Sequence, residues 1–64
     1  GEAETFLRRA FLRDRNAEIA AHLGEVLWAQ DKRRDAIVVW AEGLKIDADN
    51  TVLNDTLQRL GVSL

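Results

Sequence analysis

Sixty-four residues make one small domain at most, and at this size core burial and conformational entropy nearly cancel. With no cysteine and a single histidine, the chain offers neither a disulfide nor a ligand set for a metal ion, and it calls for no cofactor, so packed helices must hold it together. An apolar fraction of 47% and a charged fraction of 31% exclude disorder, while a net charge of −2 exerts no general pull on nucleic acid or anionic lipid.

Proline is absent and alanine and leucine abound, which favours helix throughout. Hydrophobic periodicity predicts four helices, none long or apolar enough to span a bilayer. The first runs from Glu2 to Arg13 with Phe6, Leu7, Ala10 and Phe11 on its apolar face, and Asp14-Arg15-Asn16 breaks it. Asn16 is a good cap for the second, Ala17 to Gln30. Ile19, Leu23, Val26 and Leu27 form its apolar stripe, and its opposite side carries Glu18, His22 and Glu25. Asp31-Lys32-Arg33 turns the chain into a third helix, Arg34 to Ile46. Its apolar arc of Ala36, Ile37, Val39, Trp40, Leu44 and Ile46 is wide enough to imply neighbours on two sides. Asp47-Ala48-Asp49-Asn50 ends it, and Asn50 caps a fourth helix, Thr51 to Leu60. That helix returns to a narrow stripe of Leu53, Leu57 and Leu60, turns Asn54, Asp55, Gln58 and Arg59 elsewhere, and has Gly61 as its stop. Joints this short set consecutive helices antiparallel and side by side, so the expected fold is all-α, an array of helix-turn-helix units.

The chain repeats itself. Leu7-Arg8-Arg9-Ala10-Phe11 aligns with Trp40-Ala41-Glu42-Gly43-Leu44, and Asp14 with Asp47, at a constant offset of 33. Asn16, Ile19, Leu23 and Val26 align with Asn50, Leu53, Leu57 and Leu60 at an offset of 34, as one residue deleted from the first joint would give. A run of Ala20, Leu23-Gly24, Leu27, Ala36, Trp40, Gly43 and Ala48 then resembles the signature of the tetratricopeptide repeat family, in spacing more than in identity. Ala20 stands where an aromatic is usual, Ala48 replaces a closing proline, and Asp31 stands where a turn glycine is common. In such a repeat Gly24, Ala36 and Gly43 let backbones approach while Leu23, Leu27 and Trp40 fill the space beside them. The resemblance implies one complete repeat over residues 16–49, the second helix of a preceding repeat over 1–15 and a capping helix over 50–64. It further implies the C-terminal end of a longer repeat protein. The stretch Glu18 to Trp28 is similar to closing repeats of bacterial members, some of which are envelope lipoproteins serving as adaptors for periplasmic enzymes.

What the resemblance implies for function is partner binding. Family members hold partners on the concave face made by the first helix of each repeat. Here that face is Glu18, Ala21, His22, Glu25, Trp28 and Ala29, continued by Val52, Asp55, Thr56 and Arg59. Its carboxylates, indole and small residues suit a peptide with basic and apolar side chains. Ala21, His22 and Glu25 stand where chaperone-binding members place a basic clamp for a carboxylate terminus, which argues against that role. Trp28 has two readings, an exposed hot spot or, preferably, a ring packed over Gly24 against the last helix. Glu18, His22 and Glu25 share one face, but no other histidine or cysteine completes a metal site, and no phosphate loop or nucleophile–base pair points to catalysis. Two basic patches, Arg8, Arg9, Arg13 and Arg15, and Lys32, Arg33 and Arg34, are helix ends and turns in an acidic chain, short of a nucleic-acid surface. The uncovered first helix implies a homodimer burying Phe6, Leu7 or Phe11. Two readings therefore stand: a protein or peptide binder, and a structural cap that binds nothing.

Overall fold

The computed structural model describes all residues, Gly1–Leu64. It is all-α, with α1 at Glu2–Arg13, α2 at Ala17–Ala29, α3 at Arg33–Ile46 and α4 at Thr51–Leu60. Two bounds differ by one residue from expectation: α2 stops at Ala29 and α3 starts at Arg33.

Each boundary has a local cause. The Asn16 side chain accepts hydrogen bonds from the Glu18 and Ile19 amides at 2.7 and 3.3 Å, and Asn50 accepts one from the Leu53 amide at 2.9 Å. Such caps are worth about 1 kcal/mol each. At the end of α4, Gly61 takes φ 69°, which lets the Val62 amide reach the Leu57 carbonyl at 2.9 Å and Gly61 reach Gln58 at 3.1 Å. The end of α2 repeats this arrangement without glycine. Asp31 sits at φ 63°, with the Lys32 amide on the Leu27 carbonyl at 2.9 Å and the Asp31 amide on Trp28 at 3.0 Å. The α3–α4 joint is braced by Asn54, whose side chain donates to the Ala48 and Asn50 carbonyls, both at 2.9 Å.

Helix α2 is the centre of the molecule, packed by all three others. Its contribution to the core is mostly small: Ala17, Ala20, Ala21 and Gly24, with Leu23 and Leu27. The large volume comes from α3, where the Trp40 indole is fully buried and donates to the Ala21 carbonyl at 3.3 Å. The ring lies where a side chain at Gly24 would be, and even a methyl group there overlaps it. Gly43 does the complementary thing from α3: a Cβ on it would stand 2.9 Å from both the Ala20 methyl and the Leu53 side chain, so α2, α3 and α4 meet there. Phe11 from α1 and Leu53 and Leu57 from α4 close the core.

Two ion pairs lash α1 parallel to α3. Lys32, at the head of α3, holds Glu4 at 2.9 Å, and Arg15, just past α1, holds Glu42 at 3.0 Å. Arg8 also grips Glu4 at 2.9 Å. Hydrogen bonds from Lys32 first and Arg8 second bring the Glu4 carboxyl down from 4.5 to about 2.

Packing corrects three expectations. The arc of α3 is narrower than its composition implied, because Ile37 and Ile46 remain on the solvent side while Ala36, Val39, Trp40 and Gly43 face inwards. On α1, Phe6 is 70% exposed, whereas Phe11 is buried and Leu7 half-buried against the core. Of the three apolar residues expected at a dimer contact, only Phe6 is therefore free. Thr56 is buried on α4, its hydroxyl satisfied by the Val52 carbonyl at 2.8 Å.

Candidate functional site

Three sides of α2 are covered by α1, α3 and α4; the fourth is open. Glu18, His22, Glu25 and Ala29 recur at spacings of four, three and four, which keeps them on that open side as one straight strip. Glu18, His22 and Ala29 are exposed and Glu25 is half-buried. Glu25 forms a 3.0 Å ion pair with Arg59, which ties the strip to α4. No side-chain hydrogen bond or ion pair engages Glu18, His22 or Asp55. The strip itself thus carries two carboxylates, Glu18 and Glu25, with Asp55 and the Arg59 guanidinium on the neighbouring α4. Beside it, Leu7 of α1 joins His22, Glu25, Val26 and Ala29 around a shallow, mainly apolar depression. The surface can take a basic side chain at Glu18 or Asp55 and an aliphatic one in the depression.

Four residues expected on this face are wholly or partly withdrawn from it. Ala21 is fully buried in the core cluster, its carbonyl under the Trp40 N–H, because the side of α2 it occupies is packed rather than open. Thr56 is buried likewise, and Val52 is half-buried. Trp28 follows neither of its two readings. Its ring packs on Trp40, with centroids 5.5 Å apart at a 39° tilt, and Arg33 covers it with its guanidinium 4.3 Å from the centroid. The indole seated over Gly24 is that of Trp40. Trp28 is a half-buried rim residue held by a stacked arginine, and it is not free to act as a protruding anchor.

The opposite face of the molecule holds a cleft that the sequence did not announce. Between α1 and α3, an open cleft of about 350 Å³ is lined by Phe11, Leu12, Leu23, Val38 and Val39, with Arg8, Arg15 and Glu42 at the edge. Leu12 is 74% and Val38 58% exposed, so the cleft has apolar lips. Arg15 lies over the Phe11 ring at 4.7 Å while pairing with Glu42, which bridges one end. The available signal was the pair of doublets Phe11-Leu12 and Val38-Val39, in which one apolar residue is used by the core and its neighbour is left outside.

No protein-family model, no curated protein and no solved structure matches this chain. No three histidine, aspartate or glutamate side chains converge closely enough to hold an ion, and no helix is long and apolar enough to cross a membrane.

Proposed function

We propose that this chain is a tetratricopeptide-like interaction module that holds a protein or peptide partner along the open strip of α2, with Asp55 and Arg59 of α4 at its border. The observation that carries the reading is the state of α2 itself. The most enclosed helix in the fold leaves a single side uncovered, and that side carries Glu18 and His22 with no side-chain partner beside the Glu25–Arg59 pair. Charges that stabilised only the fold would be expected in pairs, as Glu4, Arg15 and Glu42 are. The repeat reading is supported by local geometry that recurs at the sequence offsets. Asn16 and Asn50 cap in the same way, and Asp14 and Asp47 both end a helix in extended conformation with their amides on the carbonyl four residues back, at 2.9 Å each. On this reading the partner is a segment with basic and aliphatic side chains, and α4 serves as both border and cap.

The test is a titration of the isotope-labelled chain with lysine- and leucine-bearing peptides, set against acidic peptides of equal length, with amide shifts as the readout. Binding is expected to move the amides of Glu18, His22, Glu25 and Ala29, and to vanish in a still-folded Glu18→Lys/Glu25→Lys variant. Shifts confined to the α1–α3 cleft would transfer the site to the other face. No response to any peptide would leave the chain as a structural cap, a reading favoured by the polar outer side of α4, where Asn54, Asp55 and Gln58 are exposed.

A further inference from the structure

The side of α1 turned away from α2 carries Glu2, Phe6, Arg9 and Arg13 at spacings of four, three and four, so they form one strip along the whole helix. Two adjoining hollows share Phe6 and Arg9, one reaching to Glu2 and the other to Arg13, which makes the strip a continuous surface. Its charges differ in status from the rest of α1. Glu4 and Arg8 are paired within the molecule, whereas Glu2, Arg9 and Arg13 have no ion-pair partner, and Phe6 is 70% exposed between them.

This strip is its own complement when reversed. Laid antiparallel on a second copy about a two-fold axis, Glu2 of one chain meets Arg13 of the other, and Phe6 meets Arg9. Each contact then occurs twice, giving two ion pairs and two guanidinium–ring contacts. Thr5 and Ala10, which flank the strip on either side, are small enough for the helices to approach at an ordinary packing distance. A parallel arrangement would instead set like charges against each other at every charged position. We infer that α1 is a self-association surface that pairs antiparallel with α1 of a second copy. The surface lies apart from the open strip of α2, so the two activities are independent. Helix α1 is roughly 18 Å long, so the contact lies well below the size of a standard stable interface, and the dimer is weak and weakened further by salt.

Sedimentation equilibrium at concentrations up to roughly 1 mM tests this directly. The wild-type chain is expected to dimerise at low salt. Glu2→Arg and Arg13→Glu should each weaken association roughly tenfold or more, since each sets like charges opposite one another at both ends. An equimolar mixture of those two variants should recover the dimer, because the introduced arginine then faces the introduced glutamate at one end and Arg13 faces Glu2 at the other. Circular dichroism on each variant separates loss of pairing from loss of fold. A wild type that stays monomeric at every concentration overturns the inference. So does a dimer that survives either single substitution, or a mixture that fails to associate.

Discussion

The closest approach in the core, Trp40 across Gly24, makes Gly24→Ala the most informative single change. Judged by helix propensity alone, replacing a mid-helix glycine with alanine stabilises by about 1 kcal/mol. The tertiary contact opposes this. The added methyl group would overlap three atoms of the indole, and a fully buried ring has nowhere to yield. Overpacking of a tight core costs about 1–3 kcal/mol, and complete loss of a tryptophan's seat costs about 3–5 kcal/mol. Taken together with the propensity gain, the expected net loss is about 2 kcal/mol. For a domain of this size such a loss lowers the melting temperature by roughly 8–16 °C. Urea denaturation followed by far-ultraviolet circular dichroism reads the change as a lower midpoint at unchanged slope. The companion measurement is Trp40→Phe in both backgrounds. A smaller ring should relieve the overlap, so the double variant should be more stable than the two single losses predict, by about 1 kcal/mol or more. If Gly24→Ala is as stable as the wild type, or if the two changes simply add, the claim that α2 has glycine here to seat Trp40 is wrong.

Asp31→Gly should act in the opposite direction. Asp31 holds φ 63° in the left-handed region, and its side chain makes only an exposed 3.4 Å pair with Arg33. Glycine removes the conformational penalty and should stabilise by about 0.5 kcal/mol, visible as a melting temperature a few degrees higher. A lower melting temperature would mean that Asp31 supports the turn through its side chain. Glu4→Gln probes the tie between α1 and α3. Because folding lowers the Glu4 pKa from 4.5 to about 2, the ionised carboxylate contributes stability that is fully present above 4.5 and lost as pH falls through about 2. The gap in melting temperature between wild type and Glu4→Gln should therefore be open at neutral pH and close progressively on acidification over that window. A gap that is constant with pH would show that Lys32 and Arg8 do not stabilise the ionised form.

Helix bounds were legible in the sequence because their causes are local. Asn16 and Asn50 cap through their own side chains, and Gly61 and Asp31 take the left-handed conformation that ends a helix, all within a few residues of the boundary. The fate of each face was less legible. Phe6, Leu7 and Phe11 were expected on one apolar face of α1, but only Leu7 and Phe11 stand one turn apart; Phe6 lies well round the helix from Phe11, outside the cover of the neighbouring helices. Ala21 and Thr56 failed as groove residues for a different reason. Both are small enough to suit either water or a tight helix contact, so their identity says little about which they meet. The two tryptophans illustrate the limit best. Sequence spacing places Trp28 one turn from Gly24 on the same helix, yet the ring that fills the glycine's space crosses from α3.

The same small residues link core to surface. Ala17, Ala20, Ala21 and Gly24 allow α2 to be enclosed by neighbours whose larger side chains, Trp40, Leu53 and Phe11, supply the volume. A central helix with bulky residues all round would hold its neighbours farther off and distribute the core over several helices. Enclosure by three close neighbours instead confines Glu18, His22 and Glu25 of α2 to one strip, and leaves that strip straight and supported from beneath. A rigid surface is favourable for binding, since little ordering entropy remains to oppose a partner. The glycine that seats Trp40 is therefore expected to matter at the proposed partner surface as well. In Gly24→Ala, a displaced Trp40 would disturb Trp28 stacked on it and, through Trp28, Arg33. The rim of the open strip would loosen before the strip itself lost a single charge.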